Sequence, residues 1–519
     1  MVTAYWSSGL GVELAHWLRP QQAGAIELRS AGSMDGKHSA DQGQLTKGKK
    51  ANFELILVHL DLKGAPPKVS YLAEIFPLFS SLGANGLLIE YEDTFPYFGE
   101  LLPLRAAHAY SPEEICEILS LAKLHNLEVI PLIQTFGHME FVLKHKEFSH
   151  LREVPTYPNS LNPHKAESHQ LIRAMLQQVM DLHPDIQWLH IGSDEVYYLG
   201  EGEESKLLRT ERSLTVVEIF LSHLRAVATH VVSTFPGVRP IAWDDMLREA
   251  SACTLTESGV PSLLQPMIWD YTANLDVENR IALVEKYQQC GFQKIWLASA
   301  FKGATGTNQQ LTHIAHHLEN HRHWQQVAEA VPQSILQGMA LTGWQRYDHF
   351  SVLCELLPVA IPSLAVCLQF LKHGSCSEQV IGSVKSILGM PQLEIENFVS
   401  EPTGSFPGSD LLTLITQIIF FLKTSVKDFL EGNRFVTGWF SPYHRKRKIV
   451  HPIMVQQIQP EAISLLSRWT PVMEAVQAAL LSIYPMSTAT EWMEEYALPC
   501  FLEIQELVND LNTALGNVE

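Results

Sequence analysis

Paired cysteines are missing from this chain. Its seven cysteines (Cys116, Cys253, Cys290, Cys354, Cys367, Cys376, Cys500) are scattered, odd in number, and none stands in a CxxC pair. That pattern argues against a disulfide framework or a zinc site and predicts reduced, mostly buried thiols. No asparagine begins an N-x-S/T sequon, and the first twenty residues hold no continuous apolar run of the kind a signal peptide needs. Positive charge is also scarce: 37 Lys and Arg face 56 Asp and Glu, a formal net charge of −19. A surface this acidic repels phosphate backbones and anionic lipid, so neither nucleic acid nor a membrane is expected as a partner. The most apolar stretch, 354–371, is interrupted by Glu355, Pro358 and Pro362, too short and too broken to span a bilayer. Together these absences predict a cytoplasmic and nuclear protein.

What is present is ordinary globular material: 519 residues, 46% hydrophobic and 18% charged, enough to bury a large core. Residues 1–50 stand apart. From Pro20 to Lys50 the chain is rich in Gly, Gln, Ser and Lys, which predicts a largely disordered N-terminal extension.

From Phe53 onward, short apolar runs recur with helical patterns between them. Eight have strand length: 54–62, 86–91, 128–134, 187–193, 240–245, 266–271, 294–300 and 338–344. Most are continuously apolar, as expected of strands covered on both faces. The segment 111–126 opens with Ser111, Pro112 and two acids, then repeats apolar residues at three- and four-residue spacing, which predicts a capped helix. A similar pattern runs over 167–182. Eight strands alternating with helices predict an α/β fold, a (β/α)8 TIM barrel over 51–352. No GxGxxG follows the first strand, which disfavours a doubly wound open sheet. Beyond the barrel, amphipathic stretches at 354–371, 409–430, 456–482 and 489–514 predict a helical C-terminal region over 353–519. The basic run 445–448 reads as a solvated face, with a nuclear-import signal as the functional alternative.

Barrel enzymes place their chemistry at the C-terminal ends of the strands. Those ends are rich in acids and aromatics here: Asp61 after the first, Glu92 and Asp93 after the second, His138 and Glu140 after the third, and Asp194 and Glu195 after the fourth. Trp243, Asp244 and Asp245 follow the fifth strand, Trp269, Asp270 and Tyr271 the sixth, and Trp344 ends the eighth. The sharpest element is HIGSDEV (190–196). Two adjacent carboxylates in a regular strand point to opposite faces. Where the strand turns, both can reach one mouth, and their proximity raises the pKa of at least one. That arrangement suits acid–base work on an acetal. Tryptophans at three strand ends suit the flat faces of a pyranose ring, although any single one could equally fill core. His59 and Asp61, with His138 and His190, leave open a metal-dependent barrel hydrolase.

These residues carry a family likeness. HIGSDEV resembles the strand-four signature of glycoside hydrolase family 20, the β-N-acetylhexosaminidases. QTFGHME (134–140) resembles that family's Pro-Gly-His region, and AWDD (242–245) its Trp-acid ending. The likeness extends from about Leu55 to the C-terminus, closest to a branch associated with nucleocytoplasmic location and a leaning toward galactosaminides. It implies an exo-acting, retaining glycosidase without metal or cofactor, in which the substrate's own 2-acetamido oxygen attacks the anomeric carbon. The resemblance makes Glu195 the general acid and base, and Asp194 the group that orients the acetamide. It places His138 and Glu140 in a supporting network. Asp61, Trp243, Asp244, Trp269, Tyr271 and Trp344 would contact the sugar, and the partner would be a glycan ending in N-acetylgalactosamine or N-acetylglucosamine. The chain departs from the family where hydroxyls are read. Asp61 and Lys63 stand where an Arg is usual, and Trp344-Gln345-Arg346 replaces Trp-x-Glu. A barrel retaining the fold but not turnover would instead be a catalytically silent carbohydrate-binding protein. An acidic barrel with a helical appendage admits a homodimer, though no motif requires one.

Overall fold

The computed structural model describes residues 53–399 and 401–516. The expectation for residues 1–50 lies outside them. Eight parallel strands close into a barrel in chain order. They are β1 (Leu55–Asp61), β2 (Gly86–Glu90), β3 (Glu128–Leu132), β4 (Trp188–His190), β5 (Arg239–Trp243), β6 (Gln265–Trp269), β7 (Ile295–Lys302) and β8 (Leu336–Gly343). β8 returns to β1 in the register Leu55↔Gly338 through Val58↔Leu341. Each strand falls within a residue or two of its expected start.

The continuous apolar runs have a direct cause. One face of each strand feeds a core inside the barrel, built on Leu57, Leu88, Ile130, Trp188, Ile241, Met267 and Trp296. The other face joins a larger core shared with the surrounding helices, including Val58, Leu87, Leu189 and Leu297. A strand buried on both sides has no polar face to alternate with.

The helix Pro112–Leu124 begins as its sequence predicts. Ser111 Oγ accepts from the Glu114 N–H at 3.2 Å, and Glu114 Oε2 accepts from the Ser111 N–H at 2.7 Å. This reciprocal cap satisfies two end donors, an effect of about 1 kcal/mol. Val216–Thr234 opens with the same device between Thr215 and Glu218. By length and hydropathy this helix and Ser409–Gly432 could cross a membrane. Val216–Thr234, however, turns Ile219, Phe220, Leu224, Val227 and Val231 into the barrel core.

The boundary at 352 is not where the barrel ends. Helix Leu357–His373 packs against β7, helix Ile314–Ala330 and helix Val69–Leu82, the position of the eighth barrel helix. Every residue from Leu357 to Leu371 is buried, which explains why this was the most apolar stretch of the chain. The remaining helices pack on this body as part of one compact unit. They brace the loops after β1 and β8 from behind: Arg346 makes two bonds to Glu491 at 2.9 and 2.7 Å, and Thr488 Oγ1 donates to the Gly64 carbonyl at 2.6 Å.

Candidate active site

β4 is only three residues long, and the chain leaves it sharply. Gly192 (φ 61°), Ser193 (φ 72°) and Glu195 (φ 43°) all have left-handed backbone. Such angles cost a non-glycine residue on the order of 1–3 kcal/mol. Here they break the alternation that would send Asp194 and Glu195 to opposite faces. The loop after β3 lies directly against this turn. A Cβ on Gly137 would stand 2.0 Å from the Asp194 carbonyl oxygen, and one on Gly192 1.9 Å from Gln134 Oε1. Only glycine permits either approach.

The result is a compact polar cluster. His138 Nε2 lies 3.1 Å from Glu195 Oε2 and 3.5 Å from Asp194 Oδ2. Gln134 Nε2 donates to Asp194 Oδ1 at 3.1 Å, and its Oε1 accepts from the Ser193 N–H at 3.2 Å. Tyr347 donates its hydroxyl to Glu195 Oε2 at 3.0 Å and meets the Tyr197 hydroxyl at 2.8 Å. Asp245 joins two walls, accepting from the Glu195 N–H at 2.9 Å and from Trp269 Nε1 at 3.1 Å.

The charges in this cluster are unevenly compensated. Burial pushes Asp194 up to about 6; Glu195 and Glu90 add to the push, and His138 and Gln134 oppose it. Burial likewise raises Asp245 to about 7, helped by the charge of Asp194. Glu195 goes the other way. Burial favours its neutral form, but the His138 ion pair and the Tyr197 and Tyr347 hydroxyls outweigh it and hold the carboxyl below its ordinary range. His138 is raised well above an ordinary imidazole, because the surrounding carboxylates overcome the effect of burial. Without substrate, therefore, His138 and Glu195 form a charged pair and Asp194 titrates close to neutrality. Of the adjacent pair Asp194 is the raised member, chiefly through burial, with the charge of Glu195 adding to it.

An aromatic wall stands beside the carboxylates. Tyr271 stacks on Trp269 at 5.2 Å and meets Trp344 edge-on at 6.3 Å, and Trp344 lies 5.9 Å from Trp243. Trp243 is fully buried against His190, so it forms floor rather than wall. Glu140 supports from behind, its Oε1 accepting from Asn159 Nδ2 at 3.0 Å.

Two expected sugar contacts are committed elsewhere. Asp244 faces the helix layer, where its oxygens take Arg248 at 2.9 and 2.7 Å and the Tyr287 hydroxyl at 3.0 Å. Its neighbour Asp245 is the carboxylate that reaches the site. Asp61 ties β1 to the segment after β8, accepting from the Gln345 N–H at 2.7 Å and pairing with Lys63 at 3.1 Å. Gln134, Tyr197, Asp245 and Tyr347 complete the cluster and were not singled out as site residues. Asp245 carried a signal as the second acid of Trp-Asp-Asp, and Gln134 as the first residue of QTFGHME. The residues of the metal reading do not converge. His59 pairs with Glu90 at 3.0 Å, and His190 Nδ1 accepts from the Gly192 N–H at 3.0 Å. Among the described residues no three His, Cys, Asp or Glu side chains form a ligand group.

A second charged assembly occupies the β1, β2 and β8 side of the mouth. Lys63 Nζ lies 3.1 Å from Asp61, 3.5 Å from Glu90 and 3.4 Å from Glu92. His349 Nε2 meets Glu92 Oε2 at 2.5 Å, and Lys144 lies 3.5 Å from Asp93. Lys63 also stands 5.4 Å from the centre of the Trp344 ring.

This geometry can be set beside known proteins. The glycosyl hydrolase family 20 catalytic-domain profile matches residues 84–347. Hexosaminidase D of Homo sapiens is 58% identical over 461 residues, covering 89% of this chain and 95% of that protein. Hexosaminidase D of Bos taurus is 61% identical over 342 residues, covering 66% of this chain and 99% of that protein. The crystal structure of a beta-N-acetylhexosaminidase shares the fold at a TM-score of 0.50 and 14% identity, over 69% of this chain and 81% of its own. With a matching catalytic domain and a relative this similar along nearly its whole length, the chain belongs to glycosyl hydrolase family 20.

Proposed function

We propose that Asp194 and Glu195 are the working pair of this β-N-acetylhexosaminidase, a glycosidase that removes terminal N-acetylhexosamine by substrate-assisted hydrolysis. The observation carrying this assignment is their placement. Two adjacent carboxylates share the mouth at the end of β4, bonded to His138 and Gln134, beside the wall of Trp269, Tyr271 and Trp344.

In the first step the acetamido oxygen forms a bond to C1, and the bond from C1 to the leaving oxygen breaks with its electron pair. Glu195 gives that oxygen a proton. Asp194 holds the acetamide in line and stabilises the positive charge spreading over it. In the second step Glu195, now a carboxylate, takes a proton from the water that attacks C1, and the acetamide is regenerated. The two displacements together retain the anomeric configuration.

In the free site Glu195 is held ionised by a protonated His138 one hydrogen bond away. A bound sugar that expels water disfavours the ionised carboxyl, which then takes up a solvent proton on the oxygen facing the sugar while His138 stays bonded to the other. Asp194 must be ionised to stabilise the cation, so activity rises with pH through about 6.

Both galactosaminides and glucosaminides are proposed substrates, with galactosaminides favoured. Asp61, Gln345 and Arg346 are bound to protein groups, so the preference rests on the family resemblance and is decided by the side-by-side assay below. For compartment we propose cytoplasm and nucleus, supported by seven unpaired cysteines, which suit a reducing environment. The net charge of −19 supports neutral glycans over nucleic acid as partners.

The test is release of nitrophenol from the β-N-acetylgalactosaminide and the β-N-acetylglucosaminide, side by side, with and without EDTA. Release unaffected by EDTA, faster from the galactosaminide, is expected. Chelator-sensitive release would favour the metal-dependent alternative, and no release from folded protein a binding barrel.

A further inference from the structure

Tyr347 comes from the segment that follows β8, where the chain departs from its family, yet its hydroxyl ends on the carboxylate after β4. Two donors, His138 Nε2 at 3.1 Å and Tyr347 Oη at 3.0 Å, converge on the same oxygen, Glu195 Oε2. The Tyr197 hydroxyl, from the chain just beyond Glu195, meets Tyr347 Oη at 2.8 Å. Tyr347 also lies edge-on to the His138 ring at 6.0 Å. A carboxyl that delivers a proton must present one chosen oxygen to the leaving group, and a rotating carboxyl spends part of its time misdirected. Donors anchored from two separate loops remove that freedom.

We infer that Tyr347, backed by Tyr197, is a positioning residue for Glu195: it fixes Oε2 within the protein and leaves Oε1 to face the scissile bond. This rests on the assignment of Glu195 as the general acid. The loop after β8 then serves proton delivery.

The tyrosine hydroxyl stabilises the carboxylate it donates to. Its removal makes the carboxyl harder to ionise, so the acid stays protonated to higher pH and the alkaline limb of the profile moves up. The other ionisable groups facing Glu195 are His138, Asp194, Tyr197 and Tyr271, with Asp245 on its backbone N–H. All of them stay in place in a Tyr347→Phe variant.

The experiment compares wild type, Tyr347→Phe, Tyr197→Phe and Glu195→Gln on an aryl N-acetylhexosaminide and on an N-acetylhexosaminyl disaccharide. For Tyr347→Phe the alkaline limb of kcat, which reports the acid in the substrate complex, should move up by about half a pH unit or more. On the disaccharide kcat should fall roughly tenfold, on the aryl substrate less, with KM nearly unchanged, as general-acid effects predict. Tyr197→Phe should give a smaller shift in the same direction. An unshifted limb in Tyr347→Phe, while Glu195→Gln still loses far more on the disaccharide than on the aryl substrate, overturns the role of Tyr347 and leaves Glu195 as the acid. Equal loss on both substrates in Glu195→Gln overturns the acid assignment itself. A Tyr347→Phe enzyme that melts like wild type but loses KM instead of kcat also rejects positioning.

Discussion

Two groups of carboxylates share the barrel mouth, and they differ in how many cations stand among them. After β4 and β5, Asp194, Glu195 and Asp245 have one imidazole, His138, in contact with two of them. After β1 and β2, Lys63 lies within 3.5 Å of each of Asp61, Glu90 and Glu92. Burial favours the neutral form of Glu90, yet Lys63 and His59 hold it ionised, well below the ordinary range. With less compensation, burial leaves Asp194 at about 6 and Asp245 at about 7. Burial alone therefore does not mark a reactive carboxylate. After β4 and β5 the cluster keeps carboxyls that change protonation near neutral pH, while after β1 and β2 Lys63 and His59 hold Glu90 ionised as burial pushes its neighbour Glu92 up, a pairing suited to scaffold.

If that contrast is right, changes in the first cluster strike turnover and changes in the second strike stability. The largest effect is expected for Asp194→Asn. It should lower kcat/KM about 10³-fold on aryl and disaccharide substrates alike, since charge stabilisation is needed whatever the leaving group. Its melting temperature should not fall, because a repelled buried charge has been removed. Near-normal turnover, or a large loss of stability, would place Asp194 with the scaffold.

Glu195→Gln comes next. Protonation by a placed acid contributes about 10²–10⁴-fold, and a good leaving group needs little of it. Activity on a disaccharide should therefore collapse while activity on a nitrophenyl glycoside falls much less. The ratio of the two losses, measured from kcat/KM, is the decisive quantity.

Lys63→Met tests the other side. Removing one partner from a buried charge cluster typically costs about 3–5 kcal/mol, because the remaining carboxylates are left uncompensated. Chemical denaturation should show a loss of that order. A variant as stable as wild type would mean that Lys63 is held for substrate and not for structure, and the distinction between the clusters would fail.

The sequence carried most of this architecture because its signals are local. Apolar runs of strand length marked all eight strands, since each strand feeds two cores. The strand-four acids were legible for a similar reason: a glycine and a short strand put a turn in a predictable place. Contacts that depend on the folded mouth were not. In Trp243-Asp244-Asp245, spacing could not say that Arg248 would claim the first acid and Glu195 the second. Tyr347 and Glu195 lie 152 residues apart, and nothing near either announces the other. The barrel boundary was missed because the eighth helix, buried from Leu357 to Leu371, read as the first helix of a new region.

Asp245 gives the finest test, because it lies in the unbalanced cluster without a proposed part in the chemistry. Its carboxyl rises from an ordinary 3.8 to about 7 through burial and the charge of Asp194. The folded protein thus holds this proton more tightly than the unfolded chain does. The resulting stability is complete below about pH 4 and is lost as pH rises through about 7, on a scale of about 1.4 kcal/mol per pKa unit. Wild-type enzyme should therefore become easier to unfold between pH 5 and pH 8. Asp245→Asn cannot ionise, so the fall over that window should be smaller. The amide keeps one acceptor oxygen where the carboxyl had two partners, Glu195 N–H and Trp269 Nε1, so the variant should start about 1 kcal/mol lower. A lower but flatter stability profile supports the coupling of Asp245 to Asp194. A profile parallel to wild type would assign the pH dependence to Asp194 alone and leave Asp245 a neutral strut between β4 and β6.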